Sequence, residues 1–136
     1  MLENYTVPTK LKLSALWIST MFCYVYGDFF SLYVPNKINK IMQGHSGMGE
    51  TTPLALLSFA VLMTIPALMI TLSLLVKPAI NRWLNIITGS IYTLIMALIL
   101  VSSISIEWQM FYSYYAAVEI LLTGSVVWIA WTWRRE

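Results

Sequence analysis

Four apolar stretches, at roughly 13–34, 54–76, 83–106 and 108–133, fill most of this 136-residue chain. Each matches the ~20 residues, rising ~1.5 Å apiece, that a hydrocarbon core demands. No other feature restricts the fold so strongly. In lipid no water is present to pair a backbone N–H or C=O, so only helices and closed barrels can cross. The alternation expected of a barrel strand is absent. Charged residues make up only 10% of the chain, against roughly a quarter in a soluble domain. The expected fold is all-α: a four-helix transmembrane bundle, up-down-up-down, forming one integral membrane domain over residues 1–136.

Orientation follows from the basic residues beside the spans. Lys10 and Lys12 precede the first, Lys77 and Arg82 occupy the second turn, and Arg134 and Arg135 follow the last. The opposite face has Lys37 and Lys40, and its other turn supplies only Glu107. Six basic residues against two predict a plasma-membrane protein with both termini in the cytoplasm. The net charge of +2 is then a topology signal. The lipid bilayer is the expected partner, and nucleic acid is not. A cleaved signal peptide is the rival reading of the first span, because Lys10 and Lys12 precede an apolar run. No small-x-small site follows, and Met21-Phe22-Cys23 is too bulky for lipoprotein processing, so a retained span is expected.

The single Cys23 rules out an internal disulfide and dithiol redox chemistry. The single His45 cannot ligate a haem from both sides within one chain. No His/Cys cluster has the spacing of a zinc site. No metal, cofactor or catalytic group is therefore expected.

The one long connection is PNKINKIMQGHSGMGETTP. Ile38, Ile41 and Met42 fall at helical spacing among Lys37 and Lys40, which predicts a short interfacial helix between the first two spans. Thr52-Pro53 reads as an N-cap and first-turn proline. Gly44, Gly47 and Gly49 evoke a phosphate loop only superficially, since no P-loop Lys-Ser/Thr follows. Pro66, in mid-span, frees the carbonyl of Leu62 and predicts a kink. Lys77-Pro78 forces a tight turn, and Asn81-Arg82-Trp83 opens the third span. Trp83, Trp108, Trp131 and Trp133 are interfacial anchors, and Arg82, which could cap the bundle, is read as meeting lipid head groups. Gly89, Thr93 and Ala97 form a small-xxx-small seam, which serves either internal packing or a homo-oligomer.

Two carboxylates interrupt the apolar runs: Asp28 in LSALWISTMFCYVYGDFFSLYV and Glu119 in MFYSYYAAVEILLTGSVVWIAWTW. A charge at membrane depth costs a few kcal/mol or more, so such residues face the interior and tend to be functional. Trp17, Met21, Tyr24 and Asp28 share one face of the first helix, and Tyr112, Tyr115, Glu119 and Thr123 share one face of the fourth. Asp28 falls ~9 Å and Glu119 ~16 Å below the outer boundary. The first and fourth helices of such a bundle are neighbours, so the acids would meet, with Tyr24, Tyr115 and Tyr92 pointing into the same space. Acid and aromatic groups together suit an organic cation, through charge and cation–π attraction. A buried carboxyl also trades protons, so a proton could exchange with such a ligand. The alternative is that both acids are polar glue between helices.

The segments LSALWISTMFCYVYGDFFSLYVP, NRWLNIITGSIYTL and VEILLTGSVVWIAWTW resemble a family of small bacterial and archaeal four-helix membrane proteins, known only as a domain of unknown function. The likeness covers nearly the whole chain, and the family is distantly similar to the DoxX-like membrane proteins. Its motifs fall on Tyr26-Gly27-Asp28, Asn81-Arg82-Trp83 and Glu119. Thr64-Ile65-Pro66 departs from it, standing where an acidic residue before Ile-Pro is expected, which weakens a proton-relay reading. The resemblance implies the fold and no established activity.

Three functions follow, in order. The first is binding or transport of a small hydrophobic or cationic solute at Asp28, Glu119, Tyr24, Tyr115, Tyr112, Trp17 and Tyr92. The second is a structural or accessory membrane subunit without a ligand. The last is a membrane enzyme on a lipid-like substrate, which two carboxylates without metal, nucleophile or redox pair support weakly.

Overall fold

A computed structural model describes residues 2–134. The described chain is all-α: α1 (Thr9–Ser31), α2 (Lys37–Met42), α3 (Pro53–Leu75), α4 (Pro78–Ser103) and α5 (Met110–Thr132), with a 3-10 turn at Glu107–Gln109 leading into α5. Three segments, Pro53–Leu75, Pro78–Ser103 and Glu107–Thr132, are long and apolar enough to cross a membrane. α1 is also 23 residues long but more polar, with Ser14, Ser19, Thr20 and Asp28 along it.

Local chemistry explains the boundaries. α1 begins at Thr9 behind Pro8, a turn earlier than the apolar run alone indicates. Lys10, inside that first turn, donates from Nζ to the Leu74 carbonyl at 3.1 Å, tying the start of α1 to the end of α3. α2 is the short helix expected in the connection. Asn36 enters it at φ 62°, a left-handed conformation that a short polar side chain tolerates. At α3 the Thr52 hydroxyl accepts from the Ala55 N–H at 3.1 Å and Pro53 takes the first position, as the sequence signature predicts. Pro78 starts α4, so Asn81 lies within the helix instead of opening it.

α4 and α5 share the most extensive contact, while α1 packs against both α3 and α5. The α1 seam is Leu13, Trp17, Thr20, Tyr24 and Gly27. Gly89 faces α5 so closely that a Cβ there would stand 2.8 Å from Val127 Cγ2. Thr93 donates to Thr123 Oγ1 at 2.7 Å beside it. The small-residue seam of α4 is thus spent on internal packing against α5.

Arg82 departs from its sequence reading. Its Nε donates to the Ala130 carbonyl at 3.2 Å and its Nη2 to the Trp131 carbonyl at 3.1 Å. Those carbonyls belong to the last turn of α5, where a helix runs out of its own amide donors, so a guanidinium is well matched to them. Arg135, one of the six basic residues behind the orientation argument, lies outside the described residues.

Candidate functional site

The interior divides into two clusters. One comprises Leu13, Trp17, Met69, Ile86, Val126 and Ala130, at the end where α1 and α4 begin. The other centres on Tyr24, Tyr92 and Met96, toward α2.

The first cluster encloses a polar network in which Asn85 is the hub. Its Oδ1 accepts from Trp17 Nε1 at 2.8 Å and from Ser73 Oγ at 3.3 Å. Its Nδ2 donates to Asn81 Oδ1 at 2.6 Å and to the Asn81 carbonyl at 3.0 Å. Both amide hydrogens and both oxygen lone pairs are therefore engaged. Asn81 in turn donates to the Ser73 carbonyl at 2.6 Å, and Ser14 donates to the Ile70 carbonyl at 3.0 Å. Trp17, expected near the carboxylates, gives its indole N–H to this network, while its ring meets that of Tyr92 edge-on with centroids 6.2 Å apart. Sequence reasoning missed Asn85 because a lone Asn in an apolar run does not reveal its partners.

At the second cluster the structure brings α1 and α5 together, as the sequence indicates. Glu119 is 4% exposed, and its charged neighbour is Asp28. Cys23, Tyr24 and Tyr112 also lie within electrostatic reach of its carboxylate. Gly27 lets the helices approach: a Cβ there would stand 3.7 Å from the Tyr112 ring and 3.9 Å from that of Tyr115. Tyr112 and Tyr115 are half-buried at this crossing.

Asp28 is exposed, in the last turn of α1 beside Tyr112 and Lys37, and does not face the interior as expected. The reason is the period of the seam. Leu13, Thr20 and Gly27 repeat every seven residues, as do Trp17 and Tyr24. That 3.5-residue repeat drifts against the helix, so it continues toward Ser31 and leaves Asp28 a residue beyond it.

Tyr92 is buried at the site, but its hydroxyl is occupied. It donates to the Leu62 carbonyl, which is the group that Pro66 deprives of an amide partner. α3 runs helically through Pro66, with that carbonyl satisfied from α4. Tyr24 lies alongside, its ring centroid 6.3 Å from that of Tyr92. Its hydroxyl is buried without a hydrogen-bond partner among the described residues, an arrangement costing about 1–3 kcal/mol. Thr64, at the position where the resembled family is expected to carry an acid, points outward and donates to its own helix at Ala60.

Two apolar clefts open at the α2 end, of about 280 and 240 Å³. Phe29, Tyr33 and Ile38 line the first, and Phe30, Trp108 and Phe111 the second, with neither carboxylate in either lining. Among the described residues no three His, Cys, Asp or Glu side chains group as metal ligands would.

An all-α chain with helices apolar enough for a membrane, and with a buried acid between two of them, defines the class. The chain belongs to a family of unknown function (DUF6326), whose profile matches residues 3–136. No curated protein and no solved structure matches the chain.

Proposed function

We propose that this is a plasma-membrane protein whose α1, α3, α4 and α5 all cross the bilayer in an up-down-up-down bundle, with cytoplasmic termini, and that it binds or transports a small hydrophobic cation at Glu119. The observation that carries the reading is the burial of Glu119 at 4% exposure, with Asp28 and no basic group as its charged neighbour among the described residues. A carboxylate so placed attracts a cation strongly, because little solvent screens it. Tyr24 and Tyr112 lie within electrostatic reach of it, and a tyrosine can offer a cation both a ring face and a hydroxyl. Asp28, exposed at the rim, is the first charge such a solute meets. α2 lies along the outer surface, and any homo-oligomer uses a face other than the Gly89 seam. A distant kinship with the DoxX-like membrane proteins is part of the same reading and specifies no ligand.

The test is binding. Purified protein titrated with a panel of lipophilic cations should show ligand-dependent gains in melting temperature, lost on acidification as the carboxylates protonate and lost in Glu119→Gln. A panel without any response leaves the acids as polar glue. Topology is checked separately in a Cys23→Ala background. Met48→Cys, on an exposed loop residue, should react with an impermeant maleimide from outside intact cells, whereas Arg134→Cys should not. The reverse pattern overturns the orientation.

A further inference from the structure

Tyr24 and Tyr92 are neighbours with opposite fates. Pro66 has left a carbonyl free for Tyr92, and the Tyr92 hydroxyl takes it. The Tyr24 hydroxyl, on a residue 6% exposed, has no hydrogen-bond partner among the described residues. Glu119 is the charge within strongest electrostatic reach of it, and Ile120, next in sequence, packs on the same cluster. Met21, Met63 and Met96 line the two tyrosines together with Leu62, Ile95 and Ile99. Methionine repacks around different shapes at small cost, so the three methionines are the part of this wall that can yield to a guest. A buried acid, a buried polar group without a partner among the described residues and an apolar wall with three methionines are therefore grouped at one cluster.

We propose that Tyr24 is a second recognition point beside Glu119, and that the ligand is a hydrophobic primary or secondary ammonium instead of a quaternary cation. The proposal rests on the cation reading above and narrows it. A primary or secondary ammonium has at least two N–H donors. One meets the Glu119 carboxylate and another the Tyr24 phenolic oxygen, so the guest satisfies the group that the empty protein leaves unpaired. A quaternary cation supplies the same charge and can face the same rings, but it has no proton to donate, and the Tyr24 hydroxyl stays unpaired in the complex.

The experiment compares phenylbutylamine with its trimethylammonium counterpart by calorimetric titration of the purified wild type, Tyr24→Phe and Glu119→Gln near neutral pH. The wild type should favour the amine about tenfold, the effect of one hydrogen bond to a charged donor. Tyr24→Phe should weaken the amine by about that factor and leave the quaternary cation unchanged. Glu119→Gln should weaken both. The ligand-free Tyr24→Phe protein should melt no lower than the wild type, because it loses only an unpaired hydroxyl. A wild type that binds both probes equally, or a Tyr24→Phe effect of the same size on both, overturns the proposal while leaving the cation site standing. A wild type that binds neither probe overturns the site together with the proposal.

Discussion

The two ends of the helix core handle buried polarity in opposite ways. Around Asn85 every donor and acceptor of the central amide is matched, through Trp17, Ser73 and Asn81 on three different helices. Around Glu119 a carboxylate lies among tyrosines without a basic partner among the described residues, and the Tyr24 hydroxyl is unpaired. Satisfied networks rigidify and specify a fold, whereas unsatisfied ones store a cost that a ligand can relieve. The contrast separates a lock from a candidate site within one small protein.

Four substitutions test that contrast. The largest effect is expected from Asn85→Leu, which strands the Trp17 N–H, the Ser73 hydroxyl and the Asn81 amide. It should lower unfolding stability by roughly 2–3 kcal/mol, measured by denaturant titration in detergent. Glu119→Gln keeps the shape and hydrogen-bonding capacity of the side chain and removes a buried acid, so it should leave stability within about 1 kcal/mol of the parent, while cation binding falls tenfold or more. A stability loss as large as that of Asn85→Leu would make Glu119 a second lock and erase the distinction. Tyr92→Phe should cost about 1 kcal/mol, because the Leu62 carbonyl loses its donor. In a Pro66→Ala background residue 66 regains its N–H, so the same change should cost less, and a double-mutant cycle reads the difference. Equal costs in both backgrounds would disconnect Tyr92 from the proline. Asp28→Asn should be the mildest, within about 0.5 kcal/mol in stability because the residue is exposed, with a smaller binding loss than Glu119→Gln.

The legible parts of the fold were those encoded locally. The apolar helices, the Thr52-Pro53 start and the helix at Lys37–Met42 each rest on residues within a turn or two of one another. So does the carbonyl that Pro66 exposes, although not the group that answers it: Tyr92 lies 30 residues away. The adjacency of α1 and α5 was readable from the alternation of long helices and short turns. The fate of Asp28 was not, since it depends on whether the α1 seam follows a 3.5- or a 3.6-residue period, and a few apolar positions fit both. Trp17 was half legible for a related reason, since its ring does meet Tyr92. It shares a helix face with Tyr24, but its indole N–H is claimed by Asn85, 68 residues on. Arg82 was ambiguous in sequence because an interfacial cation suits head groups and helix ends alike.

The Asn85 network also bears on the order in which a nascent chain can assemble. All of its partners, Trp17, Ser73 and Asn81, precede it. A ribosome that has released the chain only as far as the end of α4 has already delivered every atom of the lock. α5 emerges last, carrying Glu119, and is received by Gly89, Thr93 and the Arg82 guanidinium. The lock therefore needs nothing from α5, and the desolvation of the acid belongs to the docking of that helix.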